Sequence, residues 1–212
     1  MLFAMLPAHA LSVLAAAWLQ VASPGSAEVA LAATPTLAPT DAVDVTLYDE
    51  NHRETRVVRI GRDGAVTPET EAVIDHLFRC KRTGLTHKMD RRLLAMIADV
   101  SAHFGGRTIT FISGYRTGRE ERKTSPHRHA RALDFRVDGV SLIAVRNYVW
   151  AYYEDVGVGW YPQENFIHLD HRGPGQNSVA WTFLHGVEHD NPWWAEHVRE
   201  QTKLDQRHQA GI

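Results

Sequence analysis

From Val43 the chain alternates: Val43, Val45 and Leu47 are apolar, while Asp44, Thr46 and Tyr48 between them are polar or amphipathic. That two-residue period predicts a half-buried strand. A turn-like stretch at 49–52 and a β-rich run at 56–60 (RVVRI) complete a hairpin. Thr67-Pro68-Glu69 then marks a helix start, with Val73, Leu77 and Cys80 on the inner face. Asp90 caps a second helix whose Leu93, Ile97 and Val100 point inward. Residues 107–113 (RTITFIS) read as a strand ending at Gly114, followed by a polar loop to Ser125. Residues 132–137 (ALDFRV) predict a short strand. Ser141 caps a third helix with Leu142, Val145, Val149 and Tyr152 on one face. Residues 156–160 and 165–170 predict two strands joined by a turn containing Pro162. The order of elements predicts an α+β fold, a small, mainly antiparallel sheet with helices packed against it.

The two ends differ from this middle. No charged side chain precedes Glu28, and residues 11–21 (LSVLAAAWLQV) form an apolar run too short for a membrane span. Gly25 and Ala27 stand at −3 and −1 of a cut before Glu28, so residues 1–27 read as a signal peptide or N-terminal anchor. Residues 28–41 read as a flexible linker rich in Ala, Pro and Thr. Residues 42–183 form the domain, and 184–212 a peripheral, helical C-terminal appendage with no clear strand.

Composition narrows the chemistry. A net charge of −2 gives no global attraction to nucleic acid or anionic membranes. The basic residues between Arg116 and Arg136 are interspersed with Glu120, Glu121 and Asp134 and lack interleaved aromatics, so they read as a solvated loop. The single cysteine, Cys80, excludes an intramolecular disulfide and a cysteine-based zinc site. The 13 histidines offer metal ligands and also make chance motifs common. His185 to His189 spells His-x-x-Glu-His, but that motif needs a helix, and Gly186 with Pro192 argues against one. His127 in the loop, Asp134 in a strand and His168 in a later strand are a stronger set. Two imidazoles and a carboxylate leave a fourth metal position for water, the pattern of a catalytic zinc site.

Ser125-x-His127-x-x-Ala130-x-Ala132-x-Asp134 resembles the Ser-x-His-x-x-Gly-x-Ala-x-Asp motif of the zinc D-Ala-D-Ala carboxypeptidase, dipeptidase and murein endopeptidase superfamily. Ser113-Gly114-Tyr115-Arg116 is similar to that superfamily's Ser-Gly-Tyr-Arg. The blocks at 156–162 and 166–170 resemble the Gly-Val-Gly-Tyr-Tyr-Pro and Phe-Val-His-Val-Asp blocks of its exported murein endopeptidase branch. The likeness runs from Val43 to Trp181.

The resemblance implies a hedgehog/D,D-peptidase-like fold, a Zn2+ cofactor, and a zinc metallopeptidase domain over 42–183 that cuts peptidoglycan stem peptides or cross-links in the bacterial periplasm or envelope. His127, Asp134 and His168 map onto the zinc ligands. Arg116 maps onto an arginine that stabilises the tetrahedral intermediate or binds substrate carboxylate. Ser125 and Tyr115 are the substrate-pocket candidates. Ala130 replaces the motif glycine, which strains the chain if that position needs positive φ. The loop between Arg116 and Ser125 is short for the endopeptidase branch. Asn165 stands where the carboxypeptidases place an acidic base, so Asp170 becomes the candidate, either as base or as partner of a histidine; Glu164 and His171 follow. Peptidoglycan peptides are the expected partner, nucleic acid is not, and membrane contact would come only through an uncleaved N-terminal segment. The competing expectation is a non-catalytic zinc-binding module that binds cell wall or a partner protein.

Overall fold

The computed structural model describes residues 41–210. The signal or anchor segment lies outside the described residues, as does all of the linker but Asp41. Eight strands, β1 (Ala42–Asp49), β2 (Glu54–Gly61), β3 (Ile109–Ser113), β4 (Ala132–Val137), β5 (Val156–Tyr161), β6 (Phe166–His171), β7 (Val179–Leu184) and β8 (Val187–Asp190), make one sheet in the order β2-β1-β3-β4-β6-β5-β7-β8. Four helices accompany it: α1 (Pro68–Leu77), α2 (Arg91–His103), α3 (Leu142–Tyr152) and α4 (Trp193–Gln209).

The fold is α+β, but the sheet is larger and more mixed than a small, mainly antiparallel one. β1 runs parallel to β3, and β5 parallel to β7. β7 follows the last strand that the sequence predicts, and β8 falls in the stretch 184–212 that reads as having no clear strand. β8 is exposed along its whole length, so it carries no hydrophobic alternation, and it is held by pairing with β7.

The helices start where the sequence puts caps. Thr67 Oγ1 accepts from Thr70 N at 3.3 Å, Asp90 Oδ1 from Arg92 N at 2.9 Å, and Ser141 Oγ from Ala144 N at 3.2 Å. Each cap satisfies an amide that the first helical turn leaves without a partner. The inner face of α2 is as expected, with Leu93, Ile97 and Val100 buried. By α1, Leu77 and Cys80 are buried as expected, but Ile74 takes the inner place expected of Val73, which is exposed. On α3, Val145 and Val149 are buried, but Tyr152 faces solvent.

Strand periodicity sorts the central side chains into two sets. Leu133, Phe135, Val156, Val158, Ile167 and Leu169 belong to the core beneath the helices. Their neighbours Asp134, His168 and Asp170 project from the opposite face and line a cleft, as does Trp181 of β7. The C-terminal helix is anchored to this frame. Trp194 Nε1 donates to Thr182 Oγ1 at 2.9 Å, Trp150 Nε1 donates to Ala195 O at 2.6 Å, and the Arg146 guanidinium lies between the rings of Trp160 and Trp194.

Candidate metal centre

The loop after β3 folds back over the sheet because its backbone is tied at several points. Gly114 packs against Phe78 so closely that a Cβ there would fall 2.7 Å from the Phe78 Cβ, and Tyr115 N donates to Phe78 O at 2.8 Å. Arg116 N donates to His127 O at 3.2 Å. His127 sits in a single 3-10 turn, Pro126–His129, which ends at Ala130 with φ 52°. The motif glycine's position therefore does require left-handed backbone, and alanine occupies it. Ala130 is fully buried, and its carbonyl accepts from Asp90 N at 2.9 Å, which ties the turn to the start of α2.

β4 and β6 are antiparallel with Asp134 opposite His168, so the register brings those two together and the loop lowers His127 onto them. His168 Nδ1 lies 2.8 Å from Asp134 Oδ1, His127 Nε2 lies 3.1 Å from His168 Nδ1, and His127 Nε2 lies 3.3 Å from Asp134 Oδ1. Tetrahedral ligation at 2.0–2.2 Å separates ligand atoms by about 3.3–3.6 Å, so the three atoms stand close to metal spacing before any ion is considered.

The outer ring nitrogens bear on why this group could hold a cation. His127 Nδ1 donates to Gly114 O at 2.7 Å, and His168 Nε2 donates to Asp170 Oδ2 at 3.0 Å. With those protons outward, each neutral imidazole turns a lone pair inward, toward a carboxylate oxygen. Three lone-pair atoms at such distances repel unless a proton or a cation lies among them. Burial disfavours a charged His168, but its bonds to Asp134 and Asp170 outweigh burial and raise its pKa to about 9. Burial likewise opposes ionisation of Asp134, and His127 and His168 overcome it, holding the carboxyl well below the usual range. Among the described residues, His127, Asp134 and His168 are the group whose donor atoms converge in this way.

The triad lies in a cleft of about 620 Å³. Arg116 lines it, with Nη1 3.4 Å from Asp134 Oδ2 and Nε 3.2 Å from Glu121 Oε2. Ser125 also lines it, and its side chain makes no capping bond. Tyr115 does not line the cleft; it packs against His87, with ring centroids 5.1 Å apart. Asn165 and Glu164 are exposed in the β5–β6 turn, where Asn165 has φ 60°. His171 projects from the other face of β6, with Nδ1 3.5 Å from Asp90 Oδ1. The His-x-x-Glu-His stretch forms the β7–β8 hairpin: His185 sits at its turn with φ 52° and meets Gln163.

Two glycines of β5 complete the site in a way that side-chain reasoning passes over. Gly157 faces Asp170, and a Cβ there would fall 2.0 Å from Oδ2. Gly159 faces Trp181, and a Cβ would fall 2.5 Å from the indole. Trp181 thereby reaches His168, with ring centroids 5.1 Å apart, and its Nε1 donates to the Tyr161 hydroxyl at 3.0 Å. The signal was present in the sequence as glycine at alternate positions, which a strand places on one face.

The sheet carries a His-Asp-His group that could hold a metal ion, with an open cleft above it. The chain belongs to the family described as peptidoglycan L,D-endopeptidase MepK, which matches residues 38–176. It is 38% identical over 109 residues to the probable peptidoglycan L,D-endopeptidase MepK of Haemophilus influenzae, covering 46% of this chain and 58% of that protein. It is 32% identical over 120 residues to the peptidoglycan L,D-endopeptidase MepK of Escherichia coli (strain K12), covering 51% of this chain and 65% of that protein. The alignments thus span less than two thirds of either relative. No solved structure gives a significant match.

Proposed function

We propose that this chain is a zinc-dependent endopeptidase that cuts peptide bonds in peptidoglycan stem peptides or cross-links, on a hedgehog/D,D-peptidase-like fold. The observation that carries the reading is the convergence of three inward lone-pair atoms, from His127, Asp134 and His168, at the floor of an open cleft. Two imidazoles and a carboxylate suit zinc and leave it an open position. When bound there, zinc supplies a Lewis acid and a water of lowered pKa.

The chain's own groups do the remaining work. His127 and His168 are held in the ligating tautomer by Gly114 O and Asp170. Asp170 is a positioning residue in this account, because its Oδ2 is engaged by the ring nitrogen of His168 that points away from the triad. Arg116 stabilises the negative charge that develops on the carbonyl oxygen of the bond being cut. Ser125, at the cleft wall, orients the substrate backbone. The apolar run at 11–21 supports export to the periplasm or cell envelope.

The test is digestion of purified sacculi and muropeptides by the zinc-loaded protein, followed by mass spectrometry. Peptide-bond cleavage products that disappear with His168→Ala are expected. Full zinc occupancy without any product would instead favour a zinc-binding module.

A further inference from the structure

We infer that the Tyr161 hydroxyl is a catalytic hydrogen-bond donor, aimed by Trp181 at the carbonyl oxygen of the bond that is cut. The inference rests on the peptidase reading above and deepens it, adding a second donor beside Arg116.

Tyr161 is the last residue of β5 and lines the cleft. It shares the strand face of Gly157 and Gly159, which stand opposite Asp170 and His168. Its ring is fixed between two others, in a row across three strands. It stacks on Phe166 of β6, with centroids 4.4 Å and planes 18° apart, and on Phe183 of β7, at 5.4 Å and 29°. The hydroxyl is fixed as well, because Trp181 Nε1 donates to it at 3.0 Å. That nitrogen lies above Gly159, where a Cβ would fall 2.6 Å away. The phenol oxygen is therefore held over the strand pair that carries His168.

An indole nitrogen only donates, whereas a phenol both donates and accepts. The Tyr161 oxygen is thus the acceptor in this pair, and its own proton points elsewhere. Among the described residues no side chain or carbonyl takes that proton. Burial, with Asp134 and Glu188 nearby, raises the pKa of the hydroxyl against the opposing pull of Trp181 and Arg116, so it stays protonated at neutral pH. The influence of Asp134 and Arg116 also puts the phenol within electrostatic reach of the triad and of the arginine. A donor whose heavy atom is fixed in advance costs no reorganisation when negative charge develops beside it. The oxygen of a carbonyl under attack gains such charge. The proton stays on the phenol throughout: a hydrogen bond strengthens, and no covalent bond to Tyr161 forms or breaks.

Tyr161→Phe keeps the ring between Phe166 and Phe183 and deletes only the hydroxyl. It should lower kcat about 100-fold, the scale of one oxyanion donor, with KM little changed. A phosphinate analogue of the cleaved bond, titrated calorimetrically into zinc-loaded protein, should lose affinity by a similar factor. Melting temperature and zinc affinity should match the parent's, which a merely structural role would not allow. In zinc-free protein the Trp181 indole N–H resonance, assigned by its absence in Trp181→Phe, should shift in Tyr161→Phe. Trp181→Phe should lower kcat about tenfold, the scale of one neutral hydrogen bond, because the phenol is then free to turn. A Tyr161→Phe protein with the parent's kcat and phosphinate affinity, or with a change in KM alone, would overturn the assignment. An indole resonance that does not move would overturn the aiming by Trp181. A parent that binds the phosphinate more tightly than the variant but cuts no peptide would overturn the peptidase reading and leave the donor standing.

Discussion

Replacing Gly157 by alanine tests how tightly the proposed metal centre depends on β5. Gly157 lies directly opposite Asp170, and a Cβ there would sit 2.0 Å from Oδ2 and 2.8 Å from Cγ. Relieving that overlap moves the carboxylate by about 1 Å, which takes its 3.0 Å bond to His168 Nε2 beyond hydrogen-bonding distance. Overpacking costs about 1–3 kcal/mol, and the lost charged hydrogen bond costs about 1.5–3 kcal/mol more. Zinc affinity should fall about 10–100-fold, as for other lost partners of a ligating histidine. In an Asp170→Ala background the obstacle is gone. There, Gly157→Ala should be neutral or stabilising by about 0.5–1 kcal/mol, since glycine is a poor strand residue. Urea unfolding of the four proteins, with zinc affinity from chelator competition, measures the coupling. If the two substitutions add to within about 0.5 kcal/mol, Gly157 is not the spacer described here.

Other substitutions and a titration probe separate links. Ala130→Val should cost more than about 2 kcal/mol, because a β-branched residue resists φ 52°. Ala130→Gly should stay within about 1 kcal/mol, relieved backbone strain offsetting the lost methyl and the added chain entropy; equal costs in thermal melts would contradict this. Trp194→Ala should destabilise by about 3–5 kcal/mol, releasing Thr182 and Arg146; an unchanged melt would mean that α4 is not anchored as described. Arg116→Ala should lower kcat about 100–1,000-fold with zinc retained, and a pure KM effect would move Arg116 from the developing charge to substrate binding. Burial and the Asp99 carboxylate hold the Tyr153 hydroxyl protonated, its pKa raised above the ordinary value. A neutral form favoured by folding gives stability that is complete below about pH 10 and is lost as pH rises beyond it, where unfolded tyrosines ionise. Tyr153→Phe should flatten that alkaline loss, and an identical pH profile would refute the role.

Local hydrogen-bond and periodicity signals carry much of this fold, whereas pairings between distant segments leave little trace in the sequence. Residues 132–137 were predicted as a strand with the bounds found, because apolar β-formers there are bounded by loop signals on both sides. The caps Thr67, Asp90 and Ser141 are local hydrogen-bond chemistry and were likewise visible. On α1 only the Val73 position differs from the expected face, because Val73 and Ile74 are similarly apolar and packing alone selects Ile74. β7 was missed although Val179–Leu184 alternates, since its partner β5 lies across a parallel, nonlocal pairing. Within the site, the three proposed metal ligands stood in motif blocks and converge in the structure. The alternate glycines of β5 are visible in the sequence, but that Trp181 fills the space above one of them depends on which strand lies beside β5, and no local pattern carries that. Tyr115 adjoins Arg116 in sequence, yet the loop turns it toward His87, away from the cleft.

Zinc titration read by X-ray absorption tests the central claim most directly. The account predicts one zinc per chain, with two imidazole nitrogens and a carboxylate oxygen at about 2.0–2.2 Å, and loss of that spectrum in His127→Ala and His168→Ala. Zinc that stays bound with an unchanged coordination shell in both variants would contradict it.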